Sequence, residues 1–123
     1  MGRIGTKFES KTTLGERAFV PFVTAGDPDL ETSKRIVLAL ADNGADIIEL
    51  GVPFSDPMAD GPTIQASSQR ALKNGVKLND VLAMVAELRA AIELHRQSLC
   101  LGESGDGLSD GRCCASDRIT GVP

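Results

Sequence analysis

Short apolar runs alternate with amphipathic stretches between Phe19 and about Ala91. This alternation is typical of successive strand–helix units, in which parallel strands lie beneath crossover helices. It predicts a first strand over residues 19–24 and a second over residues 46–51, which is short and β-branched as expected for a strand buried on both faces. Pro21 has no backbone N–H to donate to a neighbouring strand, so we expect it at a strand position where a backbone amide would have no partner.

Three helices are predicted around these strands. The segment DPD at residues 27–29 supplies a capping carboxylate for a first helix, and Gly44 follows it as a stop. A second helix ends at Gly75, and a third begins at Asn79. The apolar positions of the three helices are Leu30, Val37, Leu40, Ala41, Ile64, Ala71, Leu72, Val81, Leu82, Val85 and Leu88, with Ser68 on the same face as Ile64. The fold class is therefore α/β, consisting of two βα units and an extra helix at the start of a parallel barrel.

The pattern stops after Ala91. Residues 93–101 show no β-branched strand pattern, and from Gly102 onward the chain is rich in Gly, Ser and Asp without an apolar period. Such a composition cannot bury enough surface to offset the entropy of ordering, so we expect residues 1–91 to form the barrel portion and residues 92–123 a disordered tail. Two explanations stay open for this change, a shift of reading frame in the coding DNA and a natural flexible tail.

The charge balance excludes several classes of function. Lys and Arg number 13 against 17 Asp and Glu, which gives a net charge of −4 and no basic stripe for a nucleic acid. No apolar run is long enough to span a membrane and no apolar leader follows the first residues, so we expect a disordered start and a cytoplasmic protein. His95, Cys100, Cys113 and Cys114 lack the paired spacing of a zinc site, and we expect no metal.

Glu49 is the first candidate for chemistry. It lies near the C-terminal end of the second predicted strand, between apolar neighbours, where an ionised carboxylate is costly unless it has a task or a partner. In parallel barrels the strand ends and the loops after them build the active site, so this position suits a general acid or base. A carboxylate satisfied by a neighbouring lysine or by backbone amides remains the alternative.

Asp60 is the second candidate. It lies in a stiff loop of three prolines and two aspartates between the second strand and the next helix. Such a loop can hold Asp60 over a pocket beside Glu49, which gives two carboxyl groups in different surroundings. The alternative is a helix N-cap ahead of Pro62 and Thr63.

Two segments carry a resemblance to a known family. They are FVPFVTAGDP at residues 19–28 and ELGVPFSDPMADGPTIQ at residues 49–65. Both resemble signature segments of the tryptophan synthase alpha subunit family, and the similarity extends from about Phe8 to Ala91. The resemblance implies the N-terminal part of a (β/α)8 TIM barrel that cleaves indole-3-glycerol phosphate to indole and glyceraldehyde 3-phosphate, a lyase reaction of tryptophan biosynthesis without metal or organic cofactor.

The resemblance also implies roles for individual residues. Glu49 would act as the acid–base catalyst, Asp60 would hold the indole N–H, and Phe22 would pack against the indole ring. The loop from Pro53 to Asp60 would contact the tryptophan synthase beta subunit in an alpha2-beta2 assembly. The expected partner contacts are Pro53, Asp56 and Pro57.

The sequence departs from the family beyond Ala91, where the later strands and the glycine-rich phosphate loops do not occur. A complete barrel takes about 250 residues, and its phosphate site is built after the seventh and eighth strands. We therefore expect this chain to be inactive in its truncated form. The alternative function is a non-catalytic fragment that only docks to the beta subunit. A different phosphate-binding barrel enzyme with the same early units is a third, remote possibility.

Overall fold

A computed structural model describes residues 2–55, 60–92 and 98–103, the last of these as backbone. Its elements, in chain order, are α1 Arg3–Thr13, β1 Phe22–Thr24, α2 Leu30–Asp42, β2 Ile47–Val52, α3 Pro62–Lys73, α4 Leu78–Ile92 and β3 Ser98–Glu103. The strands form one sheet in the order β1-β2-β3, with every neighbouring pair parallel. The helices between consecutive strands make this a succession of βα units, as the sequence predicted.

The predicted capping of α2 is confirmed. The side chain of Asp29 accepts a hydrogen bond from the backbone N–H of Thr32 at 2.7 Å, which satisfies one of the free amides of the first turn. The helix ends at Asp42, and Gly44 follows with φ of 94°, a left-handed conformation that glycine adopts without steric cost. The chain then enters β2 after two residues, so the cap and the stop fix how α2 leads into the central strand.

The hydrophobic core lies between the sheet and helices α2, α3 and α4. Ile48 and Leu50 of β2 are fully buried in it, against helix residues that include Val37, Val81 and Met84. Strand side chains alternate between the two faces, so Ile48 and Leu50 face the helices while Ile47, Glu49 and Gly51 face the other side. In agreement, Ile47 does not belong to this core cluster. We call the side of the sheet opposite the helices the inner face.

Helix α1 corrects the prediction of a disordered start. It buries none of its own residues. The amino groups of Lys7 and Lys11 each lie 3.3 Å from a carboxylate oxygen of Asp46, just before β2. Asp46 also accepts a hydrogen bond from the backbone N–H of Phe19 at 2.9 Å. Tertiary ion pairs therefore hold α1, and a search for local hydrophobic periodicity could not find them.

Strand β3 corrects the expectation that no strand follows Ala91. It pairs with β2 along its whole length, from Ile47 opposite Ser98 to Val52 opposite Glu103. The sheet thus continues past the predicted boundary at residue 91, and Gly102 and Glu103 belong to a strand although disorder was predicted from Gly102. A ready ladder partner outweighs weak β propensity, because propensity depends strongly on context. The predicted disorder of the remaining tail lies outside the described residues.

Strand β1 is shorter than predicted, because residues 19–21 precede its three-residue ladder. The carbonyl of Pro21 accepts a hydrogen bond from the N–H of Glu49 at 2.9 Å. Pro21 therefore uses its only backbone hydrogen-bonding group toward β2.

Candidate functional site

Glu49 lies on the inner face of the central strand and is half-buried. In the parallel register it stands opposite Phe22 of β1, so the two side chains project from the same face. The strand thus buries its neighbours Ile48 and Leu50 in the core while it holds the carboxylate away from the helices. Because of this alternation the carboxylate avoids the cost of burial among apolar helix side chains. It is available for chemistry on the inner face.

Phe22 packs over Gly51 on the same face. A Cβ atom built at Gly51 would overlap the ring atoms of Phe22, so only glycine leaves room for the ring there. Phe22 is nevertheless 37% exposed, because its outer side lies open within the described part of the chain. The result is a flat aromatic surface on the strand neighbour of Glu49. Gly51 was not singled out by the sequence analysis, since a strand glycine alone does not reveal which ring approaches it.

Asp60 is half-buried just before α3. Its Oδ2 atom is buried and has no hydrogen-bond partner in the part of the chain that the structure describes. The N-cap of α3 is Gly61, with no side-chain capping bond, so the alternative interpretation of Asp60 as the helix cap is wrong. Buried polar atoms are nearly always satisfied, and an exception in a native structure is a candidate for binding an external donor.

The end of α3 nearest Asp60 is fixed by polar contacts. The side-chain amide of Gln65 donates to the backbone carbonyl of Asp60 at 2.8 Å. Two residues further along, the hydroxyl groups of Ser67 and Thr24 lie 2.7 Å apart in a buried contact between α3 and β1. These contacts position the loop end relative to the sheet. The sequence analysis did not predict the contact between Ser67 and Thr24. A small polar residue on a helix or strand does not indicate which distant residue it contacts.

The loop after β2 is described only in part. Pro53 is half-buried, whereas Phe54 and Ser55 are exposed. Asp56 and Pro57, the other two predicted partner contacts, lie outside the described residues. The structure therefore gives a place to Pro53 alone among the three.

Asp46, at the opposite end of β2, is paired with two lysines. Burial alone would raise its pKa, but the hydrogen bonds from the Phe19 amide and from Lys7 and Lys11 together hold the pKa below its ordinary value. This cluster joins α1 to the strand start and lies away from the loop end, so its role is structural.

The described residues contain neither a candidate metal site nor a candidate membrane span. No group of three or more His, Cys, Asp or Glu side chains among them could hold a metal ion. No helix among them has the length and apolar character needed to cross a membrane.

The fold and the site together define a class of protein. Parallel βα units with a carboxylate and an aromatic ring on the inner face, followed by a carboxylate in the loop after the strand, are typical of the N-terminal part of an α/β barrel. A family model described as "Tryptophan synthase alpha chain" matches residues 8–95. The chain belongs to the tryptophan synthase alpha chain family.

Relatives and solved structures agree with this assignment. The tryptophan synthase alpha chain of Thermoanaerobacter sp. (strain X514) is 60% identical over 89 residues, covering 72% of this chain and 34% of the relative. That of Geotalea uraniireducens is 55% identical over 94 residues, covering 76% and 35%. The crystal structure of tryptophan synthase subunit alpha from Legionella pneumophila superposes with a TM-score of 0.78 at 38% identity, covering 84% of this chain and 38% of that one.

A second solved structure is also similar. The aminoacrylate-bound tryptophan synthase from M. tuberculosis gives a TM-score of 0.74 at 36% identity, covering 84% of this chain and 40% of that chain. The chain spans about a third of the length of the curated relatives it matches. The predicted fold class, the N-terminal portion of a TIM barrel, is confirmed.

Proposed function

We propose that this chain carries the acid–base part of a lyase site that cleaves indole-3-glycerol phosphate in tryptophan biosynthesis. The observation that carries the proposal is the half-buried Glu49 on the inner face, in register with Phe22 and opposite the core. A general acid must reach the substrate without being neutralised by a permanent partner. The position of Glu49 supports the first requirement, because barrel enzymes take their catalytic residues from strands at the end where the loops after them build the active site.

The retro-aldol reaction needs two proton transfers and one stabilised cation. Glu49 delivers a proton to the indole ring carbon that bears the side chain, which leaves a positive charge shared with the ring nitrogen. The C–C bond then breaks as the side-chain hydroxyl gives up its proton to the Glu49 carboxylate, which the first transfer left ionised. Its oxygen becomes the aldehyde of glyceraldehyde 3-phosphate, while the bonding electrons return to the ring and restore indole. No external oxidant or reductant enters this balance.

Asp60 is proposed to hold the indole N–H during these steps. Its Oδ2 atom is buried and lacks a donor within the described residues, so a ligand N–H can take that place without displacing a contact made by those residues. A fixed carboxylate beside the nitrogen also stabilises the cation that forms before bond cleavage. Phe22, flat against Gly51, is proposed as the surface on which the indole ring lies.

The proposed chemistry requires more strands than the three described. A complete barrel has eight strands, and its phosphate site comes from the loops after the seventh and eighth. We therefore propose that residues 1–123 do not release indole on their own.

A second candidate function is docking to a tryptophan synthase beta subunit without catalysis. Phe54 and Ser55 are exposed directly after the half-buried Pro53, so the loop offers an apolar ring at the surface. Asp56 and Pro57 are proposed as further contacts of the same loop. This candidate is favoured if the chain alone releases no indole but raises the activity of a purified beta chain.

A chimera tests the catalytic proposal. Residues 8–95 of this chain replace the matched segment of the Thermoanaerobacter alpha chain, and indole release from indole-3-glycerol phosphate is followed by indole fluorescence. The segment itself adds no background, because this chain has no Trp and no Tyr. We expect the chimera to be active and Glu49→Gln to reduce kcat by at least roughly a hundredfold, as expected for loss of a general acid. The exposed Glu87→Gln is the matched control, and equal losses in both variants would refute the role of Glu49.

A further inference from the structure

Three side chains of α3 contact the end of β1 and the loop that follows it. They are spaced three and four residues apart, so they share one side of the helix. The helix residues are Ser67, Arg70 and the C-cap Asn74, and their partners, in the same order, are Thr24, Asp27 and Pro28. We call these three interactions the α3–β1 contacts.

The pair of Arg70 and Asp27 is the most directional of the α3–β1 contacts. Nε and Nη2 of Arg70 donate to the two carboxylate oxygens of Asp27 at 2.8 and 3.0 Å. Two such parallel bonds fix the relative orientation of the two groups, which a single bond does not. The arginine side chain is 54% exposed and that of the aspartate 19%. Ion pairs this open to water contribute little to folding stability, so the geometry suits orientation better than stabilisation.

The loop that carries Asp27 is itself held on both sides. The N–H of Gly26 donates to Oγ of Ser33 at 3.0 Å, which joins the loop to α2. On the other side, Val76 packs so closely that a Cβ atom added to Gly26 would lie 2.6 Å from it. A shift of α3 would therefore break the contact between Arg70 and Asp27 rather than carry the loop with the helix.

The first turn of α3 determines where Asp60 lies. Asp60 comes two residues before the helix, which begins at Pro62. The side-chain amide of Gln65 donates to the carbonyl of Asp60 at 2.8 Å, and the N–H of Gln65 donates to the carbonyl of Gly61 at 3.1 Å. Phe22 is two residues before the β1 end of the α3–β1 contacts. These contacts therefore join the element that carries Asp60 to the strand that carries Phe22.

We infer that Arg70 is a positioning residue of the proposed site, which holds Asp60 in place relative to Phe22 through its two bonds to Asp27. The inference rests on the proposed function, because it needs Asp60 to accept the indole N–H while the ring lies on Phe22. A displacement of about 1 Å in a group that positions the substrate can cost up to about a hundredfold in rate. A small movement of α3 would therefore affect the reaction although it changes no catalytic group.

The chimera that carries residues 8–95 tests this role. We expect Arg70→Ala to lower kcat/KM at least about fivefold, because α3 loses its oriented attachment to β1. Lys34→Ala is the matched control, since it removes another partly exposed ion pair, between Lys34 of α2 and Glu87 of α4 at 2.6 Å. It should change kcat/KM less than about twofold, while the two variants lower the urea midpoint of unfolding by similar amounts.

A double-mutant cycle gives a measurement that a purely structural role would not change. If Arg70 acts through Asp60, then Arg70→Ala should lower kcat/KM less than about twofold in the background of Asp60→Ala. Amide hydrogen exchange of the 123-residue chain tests the positioning without substrate. Exchange at the Gln65 N–H should become at least about threefold faster in Arg70→Ala and stay unchanged in Lys34→Ala.

The outcomes separate this inference from the proposed function. Fully additive losses in the cycle, equal kinetic effects of Arg70→Ala and Lys34→Ala, or unchanged exchange at Gln65 would each overturn the positioning role and leave the chemistry intact. A much larger loss of stability in Arg70→Ala than in Lys34→Ala would overturn it as well. Unchanged kcat/KM in Asp60→Ala would overturn the proposed role of Asp60, and the inference with it.

Discussion

Asp29 and Asp60 are two aspartates just ahead of helices, and the structure predicts opposite consequences for their removal. Asp29 caps α2 through hydrogen bonds from the N–H of Thr32 at 2.7 Å and from its hydroxyl at 2.9 Å. Losing such a cap costs about 1 kcal/mol of folding stability. Asp60 does not cap α3, and its buried Oδ2 has no donor among the described residues. Asp60→Ala should therefore change the free energy of unfolding by less than about 0.5 kcal/mol.

The two substitutions should affect catalysis in the opposite order, with the larger loss of kcat/KM at Asp60. A hydrogen bond from the indole N–H to a carboxylate is worth about 1.5–3 kcal/mol, or roughly tenfold to a hundredfold in kcat/KM. Asp60→Ala in the chimera should lose this amount, whereas Asp29→Ala should stay within about twofold, because the cap contributes to folding rather than to ligand binding.

Urea unfolding of the chain, followed by circular dichroism, and indole release by the chimera measure the two effects separately. A destabilisation by Asp60→Ala as large as that by Asp29→Ala would mean that the Asp60 carboxylate has a structural partner. Unchanged kcat/KM in Asp60→Ala would mean that it does not contact the indole nitrogen. Either result would refute the assignment.

Three further variants test the sheet and its charges. Gly51→Ala should cost about 1–3 kcal/mol, because the new methyl group overlaps an aromatic ring, whereas Gly61→Ala, with no atom near the added Cβ, should cost less than about 1 kcal/mol in the same urea titration. The pKa of Asp46 is lowered in the folded chain, so the stability it contributes is present above the unfolded pKa and is lost as pH falls through the folded pKa. In Asp46→Asn the urea midpoint of unfolding should therefore fall less steeply as the pH is lowered. Leu50→Ala, in a fully buried position, should cost about 2–5 kcal/mol, against less than about 0.5 kcal/mol for the exposed Leu78→Ala.

The sequence predicted those helices and strands that are specified by residues within or next to the element. The capping carboxylate and Gly44 bracket α2 within a few residues of its observed ends, and the β-branched run gives β2. Helix α1 and strand β3 depend instead on contacts with distant parts of the chain. The ion pairs with Asp46 hold α1, and the ladder of β2 supports β3. Neither partner can be read from the segment itself, so a pattern search finds neither element.

The candidate site shows the same division. Glu49 was found because a carboxylate inside an apolar strand is locally costly, and the alternation of side chains then fixed its face. Asp60 was ambiguous, because aspartate before Pro and Thr has the composition of a cap. Only the position of Gly61 as the actual N-cap separates the two interpretations. The contact between Phe22 and Gly51 depends on strand register, which the sequence does not state.

The register of strand β2 determines both which side chains pack in the core and which face carries Glu49. Ile48 and Leu50 anchor it in the core, and this anchoring determines that Glu49 and Gly51 face inward. A slip of one residue would bury the carboxylate among the helices and expose two large apolar side chains, at a cost of several kcal/mol. The packing that stabilises the fragment therefore also orients its candidate catalyst. For this reason the inner face can be formed by three strands even though the proposed reaction needs the complete barrel.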